Sequence, residues 1–141
     1  MVTSIVEQYF KSGKKEFVIV NIGTDKCIGD SLAPFVGSIL KDKYPSVKNV
    51  EGTIDNPIHA LNIFTAIEQI RFKYDNPFVV GIDACLADET DVGEIHLRTG
   101  CIRPGRGVGK NLACVGDISI VGMVSDSGNS VPFTQRPIRL S

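Results

Sequence analysis

The sequence predicts an α/β domain built on a mixed, mostly parallel sheet. Two short runs, residues 17–22 and 78–82, are apolar on both faces, which is typical of central parallel strands. Two amphipathic helical segments lie between and around these runs, so strands and helices alternate. That order requires right-handed crossovers and covers both faces of the sheet. No long helix separates the later strands, so a hairpin-like end of the sheet is expected.

The first helix is predicted over residues 31–42, directly after the first strand. Asp30 or Ser31 is a suitable N-cap, and the apolar residues that follow share one helical face. Pro45 ends this helix, and residues 47–53 form a second, weaker strand.

The second helix has a typical start in Asn56-Pro57, a cap followed by proline at the first helical position. It is predicted to run to about Tyr74. The remaining strands are predicted at residues 78–82, at 94–99 and within 114–124.

Length and charge limit the classes of protein that the chain can represent. Its 141 residues suit one domain over 1–141, and an α/β layer would place one more helix after residue 130. Either that helix is absent or the chain stops early. The net charge of −1 gives no basic surplus for nucleic acid or an anionic membrane. Residues 1–16 lack an apolar signal core, so a cytoplasmic protein is expected.

Four cysteines, at positions 27, 85, 101 and 114, occur without a Cys-x-x-Cys pair. In a domain of this size they are expected to be reduced thiols of a cytosol-like compartment. Cys85 follows an apolar strand, where a cysteine is more often a small core residue than a nucleophile.

Two aspartates are expected to meet where the strand order reverses. Asp30 follows the first strand and Asp83 ends the third, and open parallel sheets form their sites beyond such carboxyl ends. If the first strand lies between the second and third, the two acids face each other. Asp55 and His59, at the start of the second helix, would lie nearby as accessory or substrate-binding residues.

A pair of partly buried acids supports two kinds of chemistry. One acid stays protonated beside an ionised partner, which yields an acid and a base that activate water against an amide. The same pair could instead hold a divalent cation such as nickel or zinc with a histidine. Each acid alone would suit a helix cap or a turn. Phosphate binding is disfavoured, because GRGVGK at 105–110 lacks the Gly-Lys-Ser/Thr ending of a phosphate loop.

Five motifs resemble the YyaC-type sporulation proteins of endospore-forming bacteria, over about residues 17–125. They are GTDKCIGDSLAP, GTIDNPIHA, NPFVVGIDACL, GCIRPGRGVGK and VGDISIVGMV. That family is similar, more distantly, to the spore germination protease and to the HybD-like hydrogenase maturation peptidases. The resemblance implies a three-layer α/β/α sandwich around a mixed sheet.

The resemblance also implies roles for particular residues. Asp30 and Asp83 fall on the two catalytic aspartates of the germination protease, and in the maturation peptidases the corresponding acids help to bind nickel. The glycine loop of the protease is mirrored by Arg103, Gly105, Gly107 and Gly109, which are expected to line the substrate cleft. Arg103 stands where the protease has histidine.

The leading hypothesis is a cytoplasmic peptidase of a forespore or mother cell, without a cofactor. Its substrate would be a protein or peptide, with small spore proteins as candidates, and a homo-oligomer is expected. The alternative is a non-catalytic sporulation factor that binds one nickel or zinc ion, or a protein partner, through the same cleft. A third reading gives the two acids only capping and turn roles.

Overall fold

The computed structural model describes residues 2–24, 26, 28–102, 114–125 and 138–140. Within these ranges the chain forms three α-helices, one 3₁₀ turn and six strands. In chain order they are α1 (Val2–Ser12), β1 (Glu16–Asn21), the 3₁₀ turn (Ile28–Asp30), α2 (Leu32–Lys43), β2 (Val50–Glu51), α3 (Ile63–Lys73), β3 (Pro77–Leu86), β4 (Ile95–Thr99), β5 (Ile118–Val124) and β6 (Ile138–Leu140).

The strands form one sheet in the order β2-β1-β3-β5-β4-β6. Neighbouring strands are parallel except for the antiparallel pair β4 and β5. The predicted α/β fold with a mixed, mostly parallel sheet is therefore confirmed. The first strand lies between the second and third, so the strand order reverses at the carboxyl end of β1, as the site prediction requires.

Apolar side chains are buried on both faces of the sheet, which gives three layers. The cluster on the α3 face includes Val18, Val20, Ile63, Ile70 and Tyr74. The cluster on the opposite face joins α1 to the sheet and includes Ile5, Phe78, Val80, Leu97 and Ile118. Among the described residues, no helix is both long and apolar enough to cross a membrane.

The second helix begins later than the sequence predicts. α3 starts at Ile63, and residues 57–62 are not helical. The backbone of Ile58 instead forms a parallel bridge to Ile22 and accepts a hydrogen bond of 2.8 Å from the Gly23 N–H. Because this backbone extends the sheet, it cannot enter a helix at the same time. The Asn-Pro pair is a turn here, and Asn62 takes the N-cap position.

Other boundaries differ in ways that matter for the site. β3 extends to Leu86 rather than ending at residue 82, so Asp83 lies inside the strand. β2 is reduced to Val50–Glu51, and α1 was not predicted. At the carboxyl terminus β6 occupies residues 138–140, and residues 126–137 lie outside the described part of the chain.

The expectation of reduced thiols is wrong for one pair of cysteines. Cys101 and Cys114 are disulfide-bonded, with their Cα atoms 5.3 Å apart, within the range that a disulfide spans. The adjacent residues Ile102 and Val115 bridge through backbone hydrogen bonds of 2.7 and 2.8 Å. Cys85 is free and exposed, and Cys27 lies outside the described residues.

α2 packs very closely on the end of the sheet, through Gly37. A Cβ atom at this position would overlap the Gly52 carbonyl oxygen and lie 2.9 Å from the buried Asn21 Nδ2. Asn21 Nδ2 in turn donates a hydrogen bond of 3.0 Å to the Glu51 carbonyl oxygen. The absence of a side chain at Gly37 therefore lets the helix that follows Asp30 dock against β1 and β2.

We predict that Gly37→Ala destabilises the fold by about 1–3 kcal/mol, because the added methyl group displaces backbone atoms rather than a flexible side chain. Urea unfolding followed by circular dichroism measures the change. Gly29→Ala is the matched control, since its Cβ would make only ordinary contacts, the nearest at 3.5 Å. Equal stability of the two variants would contradict the close docking of α2.

Candidate active site

Asp30 reaches the carboxyl end of the sheet through a tight excursion of the chain after β1. The Ile22 N–H still donates to the Ile82 carbonyl oxygen at 2.8 Å, and the chain then leaves the sheet. The Thr24 N–H donates a hydrogen bond of 3.0 Å to the Asp30 carbonyl oxygen, which joins the two ends of this excursion. A Cβ at Gly23 would overlap that same oxygen, so the turn requires glycine there. Asp30 is thereby fixed just before α2.

Asp83 lies in β3, immediately beyond the end of its pairing with β1. The last register pair between the two strands is Asn21 with Ile82, so Asp83 borders the gap that β1 leaves. On the other side Asp83 pairs with Val121 of β5. Side chains alternate along a strand, so Asp83 shares the α3 face of the sheet with Val79 and Gly81. The carboxyl group is therefore half-enclosed by the sheet itself.

Burial dominates the electrostatics of Asp83. It raises the pKa of this carboxyl group to about 7, the negative charge of Asp30 adds to the rise, and the Ala84 N–H, 2.8 Å from Oδ1, opposes it. Burial also raises the pKa of Asp30. The Thr24 N–H and the charge of His59 act to lower this pKa, but burial outweighs them. The structure thus places the two acids within electrostatic range of one another, with Asp83 the harder to ionise.

His59 lies beside Asp30 because a turn built on Asn62 holds it there. Asn62 Oδ1 accepts from the His59 N–H at 2.8 Å, and Asn62 Nδ2 donates to the Pro57 carbonyl oxygen at 2.9 Å. A positive charge on the His59 ring favours the ionised form of Asp30. His59 is thus within electrostatic range of Asp30, and it lies on a turn rather than at a helix start.

No described contact links Asp55 to the acid pair. Asp55 is exposed on a turn in which the Thr53 N–H donates a hydrogen bond of 3.2 Å to the Asn56 carbonyl oxygen. Within the described part of the chain, no hydrogen bond or ion pair joins its carboxylate to Asp30, Asp83 or His59.

The predicted glycine loop falls outside the described residues, together with Arg103, Gly105, Gly107 and Gly109. Its start is described. Ile102 lies over the sheet so closely that a Cβ at Gly81 would be 3.0 Å from Ile102 Cδ1. Ile102, the last described residue before the loop, therefore lies on the same face as Asp83, over Gly81, which is two residues before that acid on β3.

A row of polar side chains in and just before β4 was not predicted from the sequence. His96 Nε2 lies 3.0 Å from Glu94 Oε2, and Glu94 is only 3% exposed. His96 pairs with Val121, which pairs with Asp83, so all three share one face of the sheet. The alternation of Glu94, His96 and Arg98 was the available signal, because a period of two places polar residues together on one face.

A cavity of about 770 Å³ lies between the end of β2 and α3. Glu51 borders it and accepts hydrogen bonds from Lys73 Nζ at 2.8 Å and from the Tyr74 hydroxyl at 2.6 Å. Burial acts to raise the pKa of Glu51, but these two bonds outweigh it and lower the pKa. Burial and the bond to Glu51 raise the pKa of Tyr74 to about 12. These contacts tie the end of α3 to the edge strand, away from the two acids.

Comparison with known proteins places the chain in a family. A family model described as "Protein of unknown function (DUF1256)" matches residues 1–141. The chain belongs to this family. It is 41% identical over 131 residues to the "Uncharacterized protein YyaC" of Bacillus subtilis (strain 168), an alignment that covers 93% of this chain. The chain spans about 64% of the length of that relative. No solved structure matches.

The family resemblance predicted from the five motifs is therefore confirmed. The descriptions of the family and of this relative assign neither an activity nor a ligand. The chemistry of the site has to be argued from its residues.

The raised pKa of Asp83 predicts that stability falls as pH rises. The folded state favours the protonated acid, so the associated stability is present below the ordinary Asp pKa of about 4 and is lost as pH approaches the folded value of about 7. The full change is roughly 4 kcal/mol by linkage. Asp83→Asn should remove this dependence and be more stable than the unchanged chain at pH 8.

Urea unfolding at pH 5, 6, 7 and 8 measures this effect. Asp42→Asn is the matched control, because Asp42 is exposed on α2 and this variant should follow the unchanged chain. Parallel stability curves for the unchanged chain and for Asp83→Asn would show that Asp83 ionises normally in the folded state.

Proposed function

We propose that the chain is a peptidase that hydrolyses amide bonds with Asp30 and Asp83. The observation that carries this proposal is the half-buried Asp83 carboxyl group, with a pKa of about 7, within electrostatic range of a second acid. A carboxyl group that holds its proton near neutral pH serves as a general acid, and an ionised carboxylate beside it serves as a general base. The two roles thus follow from the different surroundings of the same residue type.

The surroundings support different roles for the two acids. Burial raises the pKa of Asp30, but the Thr24 N–H and a positive charge on His59 oppose that rise and favour the ionised form. Asp30 therefore takes a proton from water as the water oxygen attacks the amide carbon. Asp83 Oδ1 already accepts the Ala84 N–H, which leaves Oδ2 to carry the proton and donate it to the amide oxygen. The proton held by Asp30 then passes to the leaving nitrogen as the carbon–nitrogen bond breaks. The ionised Asp83 takes a proton back from one hydroxyl group of the intermediate, which leaves the carboxylic acid product and restores both acids.

The proposed setting follows from the family resemblance. Under this proposal the substrate is a protein or peptide in the cytoplasm of an endospore former, with small spore proteins as candidates. Nucleic acid and membrane are not expected partners, and the chain would act as a homo-oligomer. No cofactor takes part in the proposed reaction.

The alternative of a nickel or zinc site finds less support. In the described residues, no three His, Cys, Asp or Glu side chains are grouped closely enough to hold a metal ion. A metal would need a further ligand besides Asp30 and Asp83. Elemental analysis of protein purified without a metal-affinity tag tests this alternative, and stoichiometric metal that is lost in Asp83→Asn would favour it.

We predict that Asp30→Asn and Asp83→Asn each lower kcat/KM for peptide cleavage by at least about 100-fold, the usual contribution of a general acid or base. Unfolded proteins and small spore proteins are the substrates to assay, with mass spectrometry of the fragments. Asp42→Asn should cleave like the unchanged chain. Full activity in both site variants would remove the acids from the mechanism.

We predict a bell-shaped dependence of kcat/KM on pH, with a basic limb near pH 7 where Asp83 loses its proton. His59→Gln should move the acidic limb to higher pH, because the pKa of Asp30 rises once the positive charge is gone. The basic limb should move much less. An acidic limb that is unchanged in His59→Gln would show that His59 does not tune Asp30.

A further inference from the structure

A second cavity, of about 470 Å³, opens on the sheet next to the acid pair. It belongs to the strands β3, β5 and β4 and to the connection between β3 and β4. The side chains that carry chemistry there are Cys85, Asp88, Asp91, His96, Arg98 and Met123. Neither the proposed peptidase mechanism nor the family comparison uses them.

The strand register fixes how these residues are arranged. Cys85 pairs with Met123, and His96 pairs with Val121, two residues earlier on β5. Arg98 pairs with Ser119, two residues earlier again. Residues two apart on a strand share a face, and neighbouring strands are about 4.8 Å apart. The thiol, the imidazole and the guanidinium therefore lie along one face, on the side that carries Asp83.

Cys85 is the nucleophilic group of this cavity. Among the described cysteines it is the free one, and it is exposed. Its Sγ donates only a weak hydrogen bond, of 3.4 Å, to the Leu86 carbonyl oxygen. Its position two residues after Asp83 places it on the same face as that acid. A group attached to Cys85 would consequently stand beside the acid pair.

Charges of both signs border the cavity, and they lie on different elements. Asp88 and Asp91 belong to the connection that follows β3, and their side chains are exposed. Arg98 belongs to β4 and is exposed, and His96 on the same strand is held by the buried Glu94. A disulfide whose halves each carry both an ammonium group and a carboxylate would meet a charge of opposite sign for each group at this cavity.

We propose that Cys85 is a site of thiol–disulfide exchange with low-molecular-weight disulfides whose halves are zwitterionic amino acids. In this reaction the Cys85 thiol loses its proton to solvent, and its sulfur attacks one sulfur of the ligand. A disulfide forms between Cys85 and one half of the ligand, the ligand's own sulfur–sulfur bond breaks, and the other half leaves as a thiolate that takes up a proton. The ligand disulfide is the only oxidant consumed.

The exchange has a consequence for the acid pair that rests on the proposed peptidase function. An amino acid attached to Cys85 fills the cavity on the face that carries Asp83. Peptide substrate is then excluded from the acids until the mixed disulfide is reduced. The cavity would make the peptidase sensitive to the redox state of small thiols.

The test compares three symmetrical disulfides by mass spectrometry with peptide mapping, which separates an adduct on Cys85 from one on Cys27. Each half of cystine carries both charges, each half of cystamine only an ammonium group, and each half of 3,3′-dithiodipropionate only a carboxylate. Each rate is divided by the rate of a short unstructured peptide with one cysteine, because the leaving thiols differ in reactivity. We expect this relative rate to be at least about threefold higher for cystine than for the other two disulfides, because an exposed ion pair contributes an effect of about this size.

Variants that remove single charges test which side chains cause the preference for cystine. Arg98→Gln should lower the relative rate of cystine about threefold, while Arg71→Gln, an exposed arginine on α3, should leave it unchanged. Asp88→Asn should lower it in the same way, with Asp42→Asn as its control. Absence of an adduct on Cys85, or equal relative rates for the three disulfides in the unchanged chain, would overturn the proposal.

Peptide cleavage separates this proposal from the proposed function. The cystine adduct should abolish cleavage, a thiol reductant should restore it, and Cys85→Ser should cleave at the same rate with and without cystine. Full cleavage by the adduct would overturn the blocking step and leave the exchange established. A chain that exchanges with cystine but cleaves no peptide at all would overturn the peptidase and not the exchange.

Discussion

The site depends on one structural constraint, which is that β1 leaves the sheet one residue before Asp83. A central strand that matched the length of β3 would cover the position beside Asp83 with backbone. Because the register ends at Asn21 and Ile82, the gap is filled by the turn that returns Asp30. The switch in strand order and the short central strand leave room beside Asp83 for the turn that carries Asp30.

Such a site opposes folding, so the surrounding packing has to compensate. Partly dehydrated acids near one another are costly when both are ionised. The compensation is visible on both sides of β1, in the buried cluster against α3 and in the close docking of α2 through Gly37. The backbone of Ile58, which extends the sheet beside Ile22, ties the His59 turn to the same support. A functional site of this kind lowers the stability of the fold, and the surrounding packing offsets that loss.

The sequence was sufficient for features that depend on local pattern. Mostly apolar runs located the central strands, and the alternation of helices with strands indicated a mostly parallel sheet. The position of the first strand between the second and third entered only as a condition of the site prediction. The sequence was not sufficient where tertiary contacts compete with local preference. Asn56-Pro57 reads as a helix start, yet the pairing of Ile58 with Ile22 prevails. The bond between Cys101 and Cys114 depends on the bridge between Ile102 and Val115, which cysteine spacing does not reveal.

The alternation of side chains along β3 links the two chemistries of this sheet. Asp83 and Cys85 share one face, while Ala84 and Leu86 turn to the other. β5 and β4 continue that face through Met123, Val121 and His96. Under the proposed function, a peptide bound at Asp83 and extended toward β4 would lie over this face, near the Cys85 thiol. A change of one residue in the register of β3 would remove Asp83 and Cys85 from this face, because it would turn both side chains toward α1 and α2.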